Sequence, residues 1–419
     1  MGPAIIDVFW GEDVVMRILF LSRWFPYPTD NGSKIRIFNL LKALSNEYEV
    51  ALISFASEPV KPTSVAAMRN ICSEVEFIPH RSFRTNSLHA RLGFFSATPR
   101  SMIDTFNPEM ACAVERIASH MQPDIVVASQ IDMIPYALMV KNVKRVMEEL
   151  ELAVPYDAYV NEQRPSARLR RGMTWWKLQH YLRRTLPAFD LITVVSAREQ
   201  ALARRVVSSS PVQVVPNGAD LQAMQRVQSI PQPGTLIYSG ALSFYANYDA
   251  VHYFLAEIFP LILERAPATR FLVTGSTQGV DIEKLPSCPN VEFTGYLDDV
   301  WSTVANSWVS VVPLRLGGGT RLKVIESLGL GTPVVSTSKG VEGLDLRAGV
   351  DLLIADDPRS FADATLALLD NPAQRHHLSE EGRCAVVRCD WASIGDKLNE
   401  LLVDVSGARQ PLTGAVEAC

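Results

Sequence analysis

PLRLGGGTRLKVIESLGLGTPVV, residues 313–335, carries a complete structural unit. The apolar run that leads into it, WVSVVPL (308–314), reads as a buried strand ending at Pro313. Three glycines follow, Gly317, Gly318 and Gly319, and a helix is expected over 320–329, beginning near Thr320. Gly329 and Gly331 stop that helix, and TPVVST (332–337) starts a strand at once. Strand, helix, strand in this order implies a parallel sheet covered on both faces.

The same rhythm runs outward from this unit. TLIYSG (235–240), RFLVTG (270–275) and VEFTG (291–295) read as strands, with helices over 248–264 and 298–306; weaker helical patterns fill 358–405. Nearer the N-terminus, RILFL (17–21), EVALISF (49–55), VEFI (75–78), DIVVAS (124–129), KRVME (144–148), DLITVVS (190–196) and VQVV (212–215) are strand candidates. Helices lie between them, among them SKIRIFNLLKALS (33–45) and a long segment over 164–186. PNGADL (216–221) and SIPQPG (229–234) break the alternation and mark a domain boundary. Two doubly wound α/β domains facing each other across a cleft are the expected architecture, with ligands at the carboxyl ends of the strands.

Composition fits this picture. The chain has 419 residues, room for two domains of about 150–200 residues each. Hydrophobic residues make up 47% and charged residues 20%, a globular balance rather than a disordered or fibrous one. A net charge of −5 argues against nucleic-acid binding through bulk positive charge. The cysteines Cys72, Cys112, Cys288, Cys384, Cys389 and Cys419 form no C-x-x-C pair and no zinc spacing, and read as thiols of a reducing compartment. No uninterrupted apolar run reaches the roughly 18 residues that span a bilayer. Residues 1–15 lack a basic leader and read as an extension ahead of Met16, with an extra edge strand in IIDVFW as the alternative.

The glycines at 317–319 expose backbone N–H groups at a helix start, a natural anion site, and Arg321 and Lys323 add positive charge. Glu326, two turns into the helix, is placed to accept hydrogen bonds from a ribose diol. A plain strand–turn–helix connection with a solvated Glu326 explains the same pattern. No G-x-G-x-x-G fingerprint or G-x-x-x-x-G-K-[ST] loop occurs, which argues against dinucleotide enzymes and P-loop ATPases.

At this stretch the sequence resembles the retaining, nucleotide-sugar-dependent glycosyltransferases of the two-Rossmann (GT-B) fold, particularly family four, of the kind found in exopolysaccharide and cell-envelope glycan synthesis. Their signature is two glutamates eight positions apart, ahead of a G-x-P-V-V strand. Glu326 matches the second, which the family uses on the donor ribose; Gly318 stands where the first would be. VVPNGADL (214–221) looks like the interdomain hinge, and EEGRCAVVRCDWASIGDKL (380–398) like the crossover helices returning to the first domain. The resemblance implies an N-terminal acceptor domain over 16–215, a linker over 216–234 and a donor domain over 235–385. A crossover helix over 386–405 and a tail over 406–419 complete the chain.

It also implies roles for two further loops. In YSGALSFYAN (238–247), Gly240 follows a strand; many relatives carry an Arg next and a Lys a few residues on, both holding the donor diphosphate. Here Ala241 and Ala246 or Asn247 take those places, so Arg321, Lys323, Thr320 and the glycine N–H groups are left to meet the diphosphate. Asn247 either donates one hydrogen bond or caps the helix at 248. In RWFPYPTDNGSKIR (23–36), Gly32, Ser33 and Arg36 are the acceptor-side candidates, with Ser33 a good N-cap; a capped surface turn is the alternative.

The implied reaction moves a sugar from a nucleotide-diphosphate sugar to a glycan or polyprenyl-linked acceptor with retention, without a cofactor. No D-x-D occurs, so the metal–diphosphate site of the other major glycosyltransferase fold is not indicated. With no second carboxylate evident, same-face attack is favoured: Arg321 and Lys323 stabilise the leaving diphosphate, whose oxygen takes the acceptor proton. An epimerase of the same fold and a non-catalytic nucleotide-sugar or lipid-binding scaffold are the rival readings.

One stretch stands apart. Between Glu162 and Asp190 there is no acidic residue, while Arg164, Arg168, Arg170, Arg171, Lys177, Arg183 and Arg184 surround Trp175 and Trp176. A cytoplasmic protein docking on an anionic membrane surface through 164–184 is one expectation; a solvated helix packing its Trp and Leu residues on the core is the other.

Overall fold

The computed structural model describes residues 16–207, 209–317 and 321–407. The extension 1–15, the tail beyond 407, and Gly318, Gly319 and Thr320 lie outside the described residues. Two parallel sheets form the frame. The first has strands β1 (Arg17–Ser22), β2 (Glu49–Ala56), β3 (Glu74–Pro79), β4 (Ile125–Ser129), β5 (Lys144–Glu148), β6 (Leu191–Val194) and β7 (Val212–Val214), in the order β3-β2-β1-β4-β5-β6-β7. The second has β8 (Gln232–Ser239), β9 (Arg270–Thr274), β10 (Val291–Gly295), β11 (Ser307–Val312), β12 (Val334–Ser336) and β13 (Leu353–Ile354), in the order β10-β9-β8-β11-β12-β13.

The apolar runs produce these sheets because each central strand is buried on both faces. Ile18 and Phe20 of β1 point into one core layer with Ile37, Leu40 and Leu44, while Leu19 and Leu21 point into another with Val114 and Ile117. A separate core fills the second domain around Phe254, Phe259 and Phe271. The first-domain layer with Ile18 also contains Trp391, Ile394, Leu398 and Leu402, from the helix Trp391–Ser406. That helix has crossed back and packs on Gly32–Leu44, with Gly395 set so closely that an added Cβ would stand 2.4 Å from Ala43 Cβ.

Helix boundaries differ from the sequence reading, in three places by more than trimmed ends or with a change of cap. The first helix starts at Gly32 and is capped by Asn31, whose side chain accepts from Lys34 N–H, so Ser33 is not the N-cap. The helix expected over 248–264 is broken by a π-turn, Phe254–Ile258, between Tyr245–Tyr253 and Phe259–Arg265. Pro260 explains the break, since it has no N–H and its ring crowds the carbonyl of Ala256. The helix expected from Thr320 runs over Leu322–Gly329.

Candidate active site

In each sheet the strand order reverses once, between β1 and β4 and between β8 and β11. Loops after those strands open a crevice there, and a parallel sheet binds ligands in it. In the second domain these are the loops carrying Gly240 and Gly317. Gly240 has φ +152° and packs edge-on to Gly275, where an added Cβ would lie 2.5 Å from the Gly240 carbonyl. The two glycines let the backbones after β8 and β9 approach and leave the floor of the crevice without side chains.

Lys323 reaches across this floor. Its Nζ donates to Tyr238 Oη at 2.7 Å and to Asn247 Oδ1 at 2.9 Å, and a Cβ on Gly240 would stand 2.7 Å from it. Tyr238 donates to the same Asn247 oxygen at 2.7 Å, and Asn247 Nδ2 donates to Ala241 O at 2.8 Å. Asn247 therefore caps nothing: it lies inside the helix Tyr245–Tyr253 and holds the ammonium in place. Burial lowers the Lys323 ammonium to about 7, helped by Arg321 and opposed by Glu326. Burial likewise raises Glu326, one turn further along the same face, to about 7, while Lys323 and the Trp301 indole N–H favour its charged form. Arg321 is 5% exposed and folds back so that Nη2 donates to Gly317 O at 3.0 Å, with Glu342 3.8 Å away. Gly317 has φ +93°, a conformation that favours glycine.

The facing domain is arranged differently from the sequence reading. Arg36 is fully buried: Nε donates to Glu148 Oε1 at 2.7 Å, and Nη1 to Pro216 O and Asn217 Oδ1, each at 2.9 Å. It ties the end of β5 to the linker and offers no surface to an acceptor. Gly32 does open onto space, with nothing within 4 Å of an added Cβ. Ser33 lies beside Gln130, whose Nε2 is 3.5 Å from Ser33 Oγ and 3.0 Å from Glu149 Oε2. Glu149 is a carboxylate the sequence reading missed. It follows β5 directly, has φ +56°, and is pushed up to about 7 by burial and by Glu148 beside it. Its signal in the sequence was the acidic run Glu148-Glu149 at the end of a buried strand.

Between the domains lies a cavity of about 630 Å³. Ser196, Arg198 and Asn217 line one side, Glu342, Leu344 and Leu346 the other. Glu342 faces Arg321 at 3.8 Å and Arg198 of the first domain at 3.8 Å, so one carboxylate connects the glycine loop to the opposite wall.

Two parallel sheets with facing crevices define a two-domain α/β protein of the GT-B type. A family model described as Glycosyltransferase Family 4 matches residues 30–223, and one described as Glycosyl transferases group 1 matches residues 233–371. The chain belongs to the family-four glycosyltransferases. A phosphatidyl-myo-inositol mannosyltransferase of Mycobacterium tuberculosis is 25% identical over 225 residues, 49% of this chain and 58% of that protein. The Mycobacterium leprae protein of the same name is 28% identical over 214 residues, 47% of this chain and 55% of its own length. The matched region thus spans little more than half of these relatives. Among solved structures, a sucrose-phosphate synthase from Thermosynechococcus elongatus superposes with a TM-score of 0.65 at 17% identity, covering 94% of this chain and all of that one. The Anabaena protein HepE, in complex with UDP and glucose, gives 0.63 at 14% identity, covering 92% and 99%. These likenesses carry the fold.

Proposed function

We propose that this protein transfers a sugar from a nucleoside-diphosphate sugar to a glycan or lipid-linked acceptor, with retention of anomeric configuration. The observation that carries the reading is the Lys323 ammonium, held by Tyr238 and Asn247 over the bare backbone of Gly240. Relatives place an Arg and a Lys on the loop after Gly240; this chain brings one cation to that floor from the neighbouring helix instead. The diphosphate binds at this cation, with Arg321 adding positive charge and the glycine-rich stretch 317–319 supplying N–H groups to it. Glu326 takes the ribose hydroxyls. Likeness to the phosphatidyl-myo-inositol mannosyltransferases supports a lipid-borne acceptor, and the UDP complex of the Anabaena protein supports a nucleoside-diphosphate donor.

As the glycosidic bond breaks, negative charge grows on the diphosphate, and Lys323 and Arg321 stabilise it most at that moment. The acceptor hydroxyl enters on the face the diphosphate leaves, and the departing phosphate oxygen takes its proton. Gly32 and Ser33 line the acceptor side. The reaction needs no resident cofactor or metal in this reading.

The test is incubation with radiolabelled nucleotide-sugars and a polyprenyl-linked lipid extract. Label moving to lipid, with the product anomer matching the donor by NMR, supports the proposal. Label that stays on the nucleotide in an epimerised sugar, or binding without turnover, would overturn it.

A further inference from the structure

The helix Pro165–Thr185 does not pack its aromatic residues alike. Trp175 is buried against Tyr156, with ring centroids 5.5 Å apart. Trp176 is 55% exposed and continues a stripe with Leu169 (72%) and Met173 (50%), at helical spacing on the outer face. Opposite this stripe stands the turn Gly93–Phe95, where Phe94 is 56% and Phe95 94% exposed. Together they wall an open groove of about 940 Å³.

This groove is built. Lys177 is 7% exposed, and its ammonium donates to Gly93 O and Phe94 O, each at 3.0 Å, clamping the turn to the helix. Arg100 lies 3.7 Å over the Phe94 ring and donates to Ala90 O at 2.6 Å and Thr85 O at 2.8 Å. Two cations therefore hold a phenylalanine turn out into solvent, at a cost no fold requires. Arg164 at the N-cap and Arg168 and Arg170 on the first half of the helix are exposed, as is Arg91 beside the turn, while Arg171 pairs with Glu162 at 3.1 Å. Both walls belong to segments that follow strands of the first sheet, one after β3 and one after β5.

We propose that this face docks on an anionic bilayer, Phe95, Leu169 and Trp176 entering the acyl boundary while the arginines contact lipid phosphates. Apolar side chains ringed by cations match the two layers of such a surface, an apolar interior under a negative head-group plane. Docking here brings the cleft to the membrane plane, where a lipid-borne acceptor waits. The binding itself does not depend on the transfer reaction and is read without any sugar.

The experiment is co-sedimentation with vesicles of phosphatidylglycerol and phosphatidylcholine in equal parts, against phosphatidylcholine alone. The wild-type chain should sediment with the anionic vesicles and be released as salt rises. Phe95→Ser combined with Trp176→Ser should lower partitioning by about tenfold or more, since each loses the transfer of a large side chain from water. Arg168→Glu with Arg170→Glu should abolish the preference for the anionic vesicles. Circular dichroism and binding of a nucleoside-diphosphate sugar should be unchanged in both variants, which separates lost docking from lost fold and from failure of the donor reading. A wild-type chain that ignores anionic vesicles at low salt overturns the proposal. So does partitioning of the aromatic double variant at the wild-type level, or stable pairing of this face with a protein in place of vesicles.

Discussion

Lys323 is an ammonium held near neutrality, and the sign of its pH dependence follows from what it must bind. A diphosphate attracts the protonated form, so donor affinity should be full below about pH 7 and fall as pH rises past it, by up to about tenfold per unit. Glu326 works the other way. Its carboxyl, raised to about 7, accepts ribose hydroxyls best when charged, so its contribution weakens as pH falls. Calorimetry with UDP-glucose, whose diphosphate does not titrate near neutrality, should give a bell centred near pH 7. Lys323→Met should flatten the alkaline limb and cost about 1.5–3 kcal/mol at pH 7; Glu326→Gln should flatten the acid limb. A pH-independent affinity would remove both assignments. Arg36 gives a different kind of prediction. Arg36→Met takes away one partner of a fully buried ion pair, so urea unfolding should show a loss of about 3–5 kcal/mol. This residue also shows where reading the sequence stopped short. Arg36 lies one turn before Leu40 and next to Ile37, inside the apolar stripe of its own helix. Its position pointed inward, while its residue type suggested a ligand contact, and burial with Glu148 settles it.

At the scale of elements, most strands were legible because they are short apolar runs, such as RILFL (17–21) and WVSVVPL (308–314), set between longer amphipathic segments. What escaped was local. β13 is two residues long, Leu353–Ile354, too short for any period to appear. The π-turn at Phe254–Ile258 had its cause in plain view at Pro260, yet the apolar pattern runs through it unbroken. Lys323, Arg321, Glu326 and Asn247 stood out as candidates from their loops, but the contacts of the Lys323 ammonium with Tyr238 and Asn247 join separate elements that only the folded sheet brings together. Gly275 is the element-scale counterpart: it carried no signal except its place at a strand end. With φ +120° and the Gly240 carbonyl 2.5 Å from a hypothetical Cβ, Gly275→Ala should push the β8 loop off its course. Thermal unfolding should show a loss of about 1–3 kcal/mol, and donor affinity should fall with it. Affinity left intact in a destabilised variant would separate this contact from the donor site.

Over the whole molecule, the two domains are joined twice. The linker after β7 leads out, and the chain returns through Cys389–Trp391, where Ala219 N–H donates to Cys389 O at 2.9 Å and Trp391 N–H to Ala219 O at 3.2 Å. Gly218 makes this crossing possible, since a Cβ there would lie 2.4 Å from Cys389 O. A chain ending at residue 386 would keep both sheets but uncover Ile37, Leu40 and Leu44. It should be recovered mainly in aggregates, and supplying residues 387–407 as a separate peptide should return part of it to solution. The consequence concerns birth rather than stability. On the ribosome, the first domain emerges more than 170 residues before the helix that closes its core, from Val214 to Trp391. At about 5–20 residues per second it waits many seconds with an open apolar face, and the second domain must be made in that interval. The first domain is therefore made before the second yet finished after it, and the need for a chaperone should fall on that domain.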